Sequence, residues 1–287
     1  MSFENLTEDH RPSRPEVFLD TSVFCCMHKG PLFRDRIHRV LRLFRWKGTS
    51  SYAKVEYGNV VLAQAEYYLR KLDNFGSLAA TLDFIGNVLP HRYHGAKITW
   101  SFNLLQNHYG TSDEECTERA RLSLRRLLKL GVAFVEKQCD EPVEDGTACY
   151  WARRGVIRRS DGRLTWQSPE CDRRNKRCTL DEFFDANRET FLHIKAAIDG
   201  LPENEKTPQL RGFAEVIGEA LDDPAFLLDY SPGCRKLADA IIAVDGRAYG
   251  NLFSQNIAES NLLTRVLNQV FFYLPANPDR DVMVRTT

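Results

Sequence analysis

Apolar residues fall along this chain in two kinds of pattern, and their alternation outlines a fold. Val17-Phe18-Leu19 is a short unbroken apolar run ending at Asp20-Thr21-Ser22, as in a buried strand followed by a turn. From 32 to 47 the spacing becomes helical. Phe33, Ile37, Val40, Leu41 and Phe44 share one face, and Arg34, Arg36, Arg39, Arg42 and Arg45 supply much of the other. Gly48-Thr49-Ser50-Ser51 breaks that pattern and offers caps for a new helix, from about Tyr52 to Lys71, which carries Glu56. Two more helical stretches, 76–88 and 113–130, lead to Gly131-Val132-Ala133-Phe134-Val135-Glu136, which reads as a second buried strand. Helical spacing returns from Leu180 to about Ile198, and a polar loop follows from Gly200 to Pro208. Ser231-Pro232 places a cap and a first-turn proline ahead of a helix that stops at Gly250. Asn251-Leu252-Phe253-Ser254 then reads as a strand and 258–269 as a last helix. Strands alternating with helices predict an α/β fold: a mostly parallel central sheet, helices on both faces, and strand 17–19 in its middle.

This rhythm is lost between about 137 and 180, which reads as an insertion into one domain spanning 15–287, with a short mobile tail at 1–14. Val156-Ile157, Ser160-Asp161-Gly162 and Leu164-Thr165-Trp166 predict a small hairpin inside it. Arginines crowd this stretch, among them Arg153, Arg154, Arg158 and Arg159, with Trp166 interleaved. Arg neutralises phosphates and aromatic rings stack on unpaired bases, so these five residues form a nucleic-acid-binding candidate. A solvated hairpin whose aromatics pack on the domain is the alternative. Cys139, Cys149, Cys171 and Cys178 bracket the segment. Four thiolates would hold one structural Zn²⁺ and staple an insertion with little core of its own. The absence of a Cys-x-x-Cys pair favours four unlinked thiols instead.

Composition narrows the partners. Lys+Arg and Asp+Glu both count 39, so net charge gives no sign of a polyanionic partner, and any such binding must come from local patches. No run of about 18 apolar residues is present, and a membrane span is not expected. The first residues, MSFENLTEDHRPSRPE, lack the basic-then-apolar pattern of a secretory signal, so a cytoplasmic protein is expected. Eight cysteines without such a signal suggest reduced thiols rather than a disulfide framework.

Two polar clusters, Asp20-Thr21-Ser22 and Ser254-Gln255-Asn256, sit just after strands. In open α/β sheets, ligands bind beyond the carboxyl ends of the strands, so the two clusters would share one cleft. Asp239 lies in Leu237-Ala238-Asp239-Ala240-Ile241-Ile242-Ala243-Val244, apolar almost all round and therefore buried. A buried carboxylate needs a hydrogen-bond partner, a cation or a metal, or it takes up a proton. A salt bridge to Arg235 or another base is the plain alternative. Glu56 gains weight only from these companions.

Val17-Phe18-Leu19-Asp20-Thr21-Ser22-Val23-Phe24 resembles the opening strand of PIN-domain nucleases. Thr49-Ser50-Ser51-Tyr52-Ala53-Lys54-Val55-Glu56 is similar to the family's second motif, a polar turn leading into a helix with a Glu. Leu237 to Ala243, Gly250, and Leu252-Phe253-Ser254-Gln255-Asn256 resemble its C-terminal signature. The resemblance covers about the first 75 residues and 232–270; the fourth position holds Asn256 rather than an acid. It implies a PIN-like fold and a divalent-metal-dependent endonuclease, cutting RNA more than DNA. Asp20 and Asp239 would be the principal Mg²⁺ or Mn²⁺ ligands, and Glu56 a ligand through water or a base. Asn256 would orient a water, with Ser22 and Ser254 in support. A homo-oligomer or an inhibitory protein partner is compatible with it. The competing class is a non-catalytic nucleic-acid-binding or assembly module on the same fold. A haloacid-dehalogenase-type phosphatase is disfavoured, because it wants a second Asp where Ser22 stands.

Overall fold

The computed structural model describes residues 4–5, 15–87, 110–140, 146–147, 156–166, 178–229, 233–275 and 283–285. Its strands are β1 (Glu4–Asn5), β2 (Glu16–Leu19), β3 (Trp46–Gly48), β4 (Val156–Arg158), β5 (Leu164–Trp166), β6 (Asn251–Phe253), β7 (Val270–Tyr273) and β8 (Met283–Arg285). The main sheet has the order β1-β8-β7-β6-β2-β3. Strands β3, β2, β6 and β7 are parallel, and β8 and β1 extend the β7 edge antiparallel. The expected α/β sheet is therefore present, and β2 lies inside it, between β3 and β6.

The unbroken apolar run of β2 reflects burial on both faces. Val17, Phe18 and Leu19 have no solvent exposure. Successive side chains alternate across a strand. Val17 and Leu19 accordingly join one core cluster with Phe253, and Phe18 joins the other with Leu252. Each such side chain contributes roughly 1.5–3 kcal/mol relative to exposure. The first cluster is roofed by Pro31–Leu41, Ala63–Phe75 and Asp113–Leu130, the second by Arg188–Asp199, Pro208–Asp222, Ala238–Asp245 and Ile257–Val266. Gly250 ends the Gly246–Tyr249 3-10 turn at φ 73, a left-handed conformation that suits glycine. That is the stop expected from the sequence.

Several elements differ from the sequence pattern. Residues 131–136 form no strand: Ala133–Glu136 is a short helical turn after the Asp113–Leu130 helix. Six apolar-rich residues do not separate a buried strand from a buried helical turn. The helix expected over 32–47 is Pro31–Leu41, and Trp46–Gly48 is strand β3, paired with β2. Arg36 does not belong to an exposed arginine face: it is buried, and its guanidinium donates to the Pro275 carbonyl at 3.2 Å. Pro208–Asp222, capped by Thr207 and opened by proline, is a full helix not expected above, although Leu210, Phe213, Val216, Ile217 and Ala220 recur at helical spacing and are its buried face. Ser231 and Pro232 lie outside the described residues. In the insertion, β4 and β5 pair as the expected hairpin.

Candidate functional site

Asp20 follows β2 directly and forms the N-cap of Thr21–Cys26. One of its side-chain oxygens, Oδ2, accepts every side-chain hydrogen bond it makes with the described residues: from the Ser22 backbone N–H at 3.3 Å, from the Ser22 hydroxyl, and from the Ser254 hydroxyl at 2.7 Å. Ser254 follows β6, so two adjacent parallel strands end on one carboxylate. The serines are themselves held. Ser22 Oγ accepts from Gln255 N–H at 2.8 Å, and Ser254 Oγ accepts from Asn256 N–H at 3.0 Å and from Ser260 Oγ at 2.9 Å.

Glu56 arrives through the polar turn after β3. Thr49 Oγ1 donates to the Leu19 carbonyl at 2.6 Å, tying the turn to the end of β2. Ser50 caps the Ser51–Tyr57 helix by accepting from Ala53 N–H at 3.0 Å, as the Thr49-Ser50-Ser51 pattern predicts. One turn on, Glu56 Oε2 accepts from Thr21 Oγ1 at 2.7 Å. Burial foremost, and then the charge of Asp20, push the Glu56 carboxyl up to about 7; the Thr21 bond opposes them.

Asp239 sits in the first turn of Ala238–Asp245, between buried Ala238 and Ala240. Its Oδ2 accepts from Asn256 Nδ2 at 2.7 Å and Gln209 Nε2 at 3.1 Å. Burial, then the charges of Asp20, Glu56 and Glu259, raise its carboxyl well above the ordinary aspartate range; the Asn256 bond opposes this. The charge of Asp20 thus reaches Glu56, and those of Asp20 and Glu56 reach Asp239, from segments remote in sequence.

Within this cluster the hydrogen bonds follow one rule. Asp20, Glu56 and Asp239 each offer one oxygen to neutral donors, and their other oxygens, Oδ1, Oε1 and Oδ1, accept no hydrogen bond from the described residues. None of those three oxygens is a buried unsatisfied atom. Among the described residues no Lys, Arg or His forms an ion pair with any of the three acids. The side chain of Arg235 lies outside the described ones. Hard divalent cations favour such a set of carboxylate oxygens with positions left for water. No three His, Cys, Asp or Glu among the described residues stand as a ready-made metal cage.

Ser22, Ser254 and Asn256 touch the acids as the sequence suggests, though Asn256 contacts Asp239 directly. Three contributors escape a reading of the sequence. Thr21 is the residue next to Asp20. Glu259, buried and hydrogen-bonded by Thr207 Oγ1 at 2.8 Å, lies three residues after Asn256 on the following helix. Asn256 is the N-cap of that helix and Glu259 lies in its first turn, and an acid three residues after a cap is the signal that could have found it. Gln209 comes from a helix with no motif to flag it.

The insertion departs from expectation in part. Trp166 is not available to stack on bases: it is 6% exposed, and its indole N–H donates to Asn59 Oδ1 at 3.2 Å. The apolar ring is worth more in the core than the hairpin could recover by exposing it. Arg158 and Arg159 are exposed, while Arg153 and Arg154 lie outside the described residues. Cys139 packs against one core cluster and Cys178 against the other. Cys149 and Cys171 lie outside the described residues. Burial pushes the Cys139 thiol up to about 12.

Compared with family models, curated proteins and solved structures, the chain matches none. No described helix is long and apolar enough to cross a membrane.

Proposed function

We propose that this protein is a divalent-metal-dependent endonuclease of the PIN-like kind, hydrolysing phosphodiester bonds and acting on RNA in preference to DNA. One observation carries the proposal: three carboxylates brought together from remote segments, where Asp20 raises the proton affinity of Glu56 and both raise that of Asp239, each fixed through one oxygen and accepting nothing at the other from the described residues, with no described Lys, Arg or His paired to them. Bringing such groups together is costly unless a cation joins them or one is protonated. The neutral donors from Ser22, Ser254, Thr21, Asn256 and Gln209 orient the acids without cancelling their charge. Mg²⁺ or Mn²⁺ held by Asp20 and Asp239, with Glu56, would supply charge stabilisation on the phosphate and the leaving oxygen. Glu56, held at Oε2 by Thr21 and accepting nothing at Oε1 from the described residues, would take the proton of the attacking water as the phosphorus–oxygen bond to the leaving ribose oxygen breaks. The preference for RNA rests on the motif resemblance.

Asn256 at the fourth position, where an acid would add charge, also favours a second reading, a nucleic-acid-binding module without catalysis. One experiment separates the two. Labelled structured RNA, single-stranded RNA and DNA are incubated with the protein in Mg²⁺, Mn²⁺ or EDTA. Cleavage that needs the metal and vanishes in Asp20→Asn and Asp239→Asn is expected. Binding without metal-dependent cleavage would replace the nuclease by the module.

A further inference from the structure

The helix that carries Glu56 changes its winding immediately after it. Ser51–Tyr57 is α-helical, Gly58–Leu62 is a π-helical turn, and Ala63–Phe75 is α-helical again. A π-turn is rare and occurs mostly as a single turn inside an α-helix, often at functional sites. Here a side chain from the insertion abuts the turn. Trp166, at the end of β5, lays its indole over Gly58 so closely that a Cβ there would overlap the ring carbons Cζ2 and Cη2. Its Nε1–H donates to Asn59 Oδ1 at 3.2 Å, and its backbone N–H donates to Glu66 Oε2 at 2.8 Å. These contacts reach the turn at 58 and 59 and the α-helix beyond it at 66. Trp166 is also the one fully buried side chain of the described hairpin; Val156 and Leu164 are half-buried beside it.

The two α-helical parts have different attachments. Ala63–Phe75 packs through Ala65, Tyr68 and Leu72 into the core that holds Ala120 and Leu124 of Asp113–Leu130. Ser51–Tyr57 starts at the Ser50 cap and carries Glu56 to Thr21. One residue of helix corresponds to roughly 100° of rotation. Relaxing the π-turn into α geometry therefore changes the phase of one part against the other. With the longer part held by the core, the displacement falls on the part that bears Glu56.

We propose that Trp166 is a positioning residue for Glu56: by filling the space over Gly58 it holds the π-turn, and so sets the phase at which Glu56 faces Asp20 and Asp239. This also links the hairpin, with Arg158 and Arg159 exposed on it, to the acid cluster. The idea rests on the metal-site reading given above for its consequence, but not for the mechanical coupling. Two measurements on the full chain keep these apart.

The first is hydrogen exchange in EDTA on wild type, Trp166→Ala and Trp166→Phe. Faster exchange in Trp166→Ala is expected to extend from the hairpin into 53–62, with Trp166→Phe close to wild type because a ring still fills the space. Faster exchange confined to 156–166 would overturn the coupling. The second is Mn²⁺ binding by calorimetry, below the thermal midpoint of every variant. Trp166→Ala is expected to lose roughly 10–100-fold in affinity, as when a group orienting a metal ligand is removed, and Trp166→Phe to recover most of it. A merely structural tryptophan would lower the midpoint and leave the affinity of the folded protein unchanged, which would also overturn the proposal. Wild type that takes up no Mn²⁺, with exchange in 53–62 still altered, would instead remove the metal-site reading and leave the coupling standing.

Discussion

Replacing Glu56 by Gln removes a charge and almost no volume, and its effect on stability should reverse with metal. In the metal-free protein the Glu56 carboxyl ionises at about 7 instead of 4.5, because burial and the Asp20 charge disfavour its anion. Between those two values the folded chain holds more proton than the unfolded chain, so stability falls as pH rises through this window. At ~1.36 kcal/mol per pH unit, the span from 4.5 to about 7 amounts to on the order of 3 kcal/mol, an upper value because the side chain is only half-buried and water screens it. Glu56→Gln carries no such penalty, and its amide oxygen can still accept the Thr21 hydroxyl. Urea unfolding in EDTA should therefore find the two proteins near parity at about pH 4.5 and the variant more stable by ~1–3 kcal/mol at about pH 8. Saturating Mn²⁺ at the higher pH should reverse the order and make the wild type the more stable, since only it keeps the ligand. An EDTA difference that is the same at both pH values, or a variant less stable at the higher one, would refute the electrostatic reasoning.

Asn256→Ala removes the amide that holds Asp239 Oδ2, and single-turnover cleavage should slow by roughly 10–100-fold, less than in Asp239→Asn, which removes a ligand. Replacing Arg153, Arg154, Arg158 and Arg159 together should weaken nucleic-acid binding and reduce its salt slope by roughly 0.7–0.9 per phosphate no longer neutralised; an unchanged slope would make the hairpin a solvated face.

What can be read from the sequence depends on whether the signal is local. Val17-Phe18-Leu19 declares β2 because burial on both faces leaves no polar position in the run. Asp113–Leu130 is legible end to end, with Ser112 as its cap and a leucine stripe inside. Strand β3 is not, since three residues, Trp46-Lys47-Gly48, are too few to show a period and the helical spacing of the preceding residues runs on into them. Strand β7 lies in Val270-Phe271-Phe272-Tyr273, directly after a helix whose pattern runs on to 269. In the site, Asp239 stands out as a lone acid in an apolar helix, and Asp20 as the end of a buried strand. Thr21 and Gln209 are invisible because their roles depend on tertiary approach. Trp166 misleads because an aromatic among arginines has the same composition whether it faces a base or the core.

The most direct test of a shared metal site is anomalous diffraction from crystals soaked in Mn²⁺. One peak is expected among Asp20 Oδ1, Glu56 Oε1 and Asp239 Oδ1, at about 2.0–2.3 Å from the ligating oxygens, and absent from Asp239→Asn. No peak at that position in wild type, or a basic side chain closing over the three acids in its place, would contradict it.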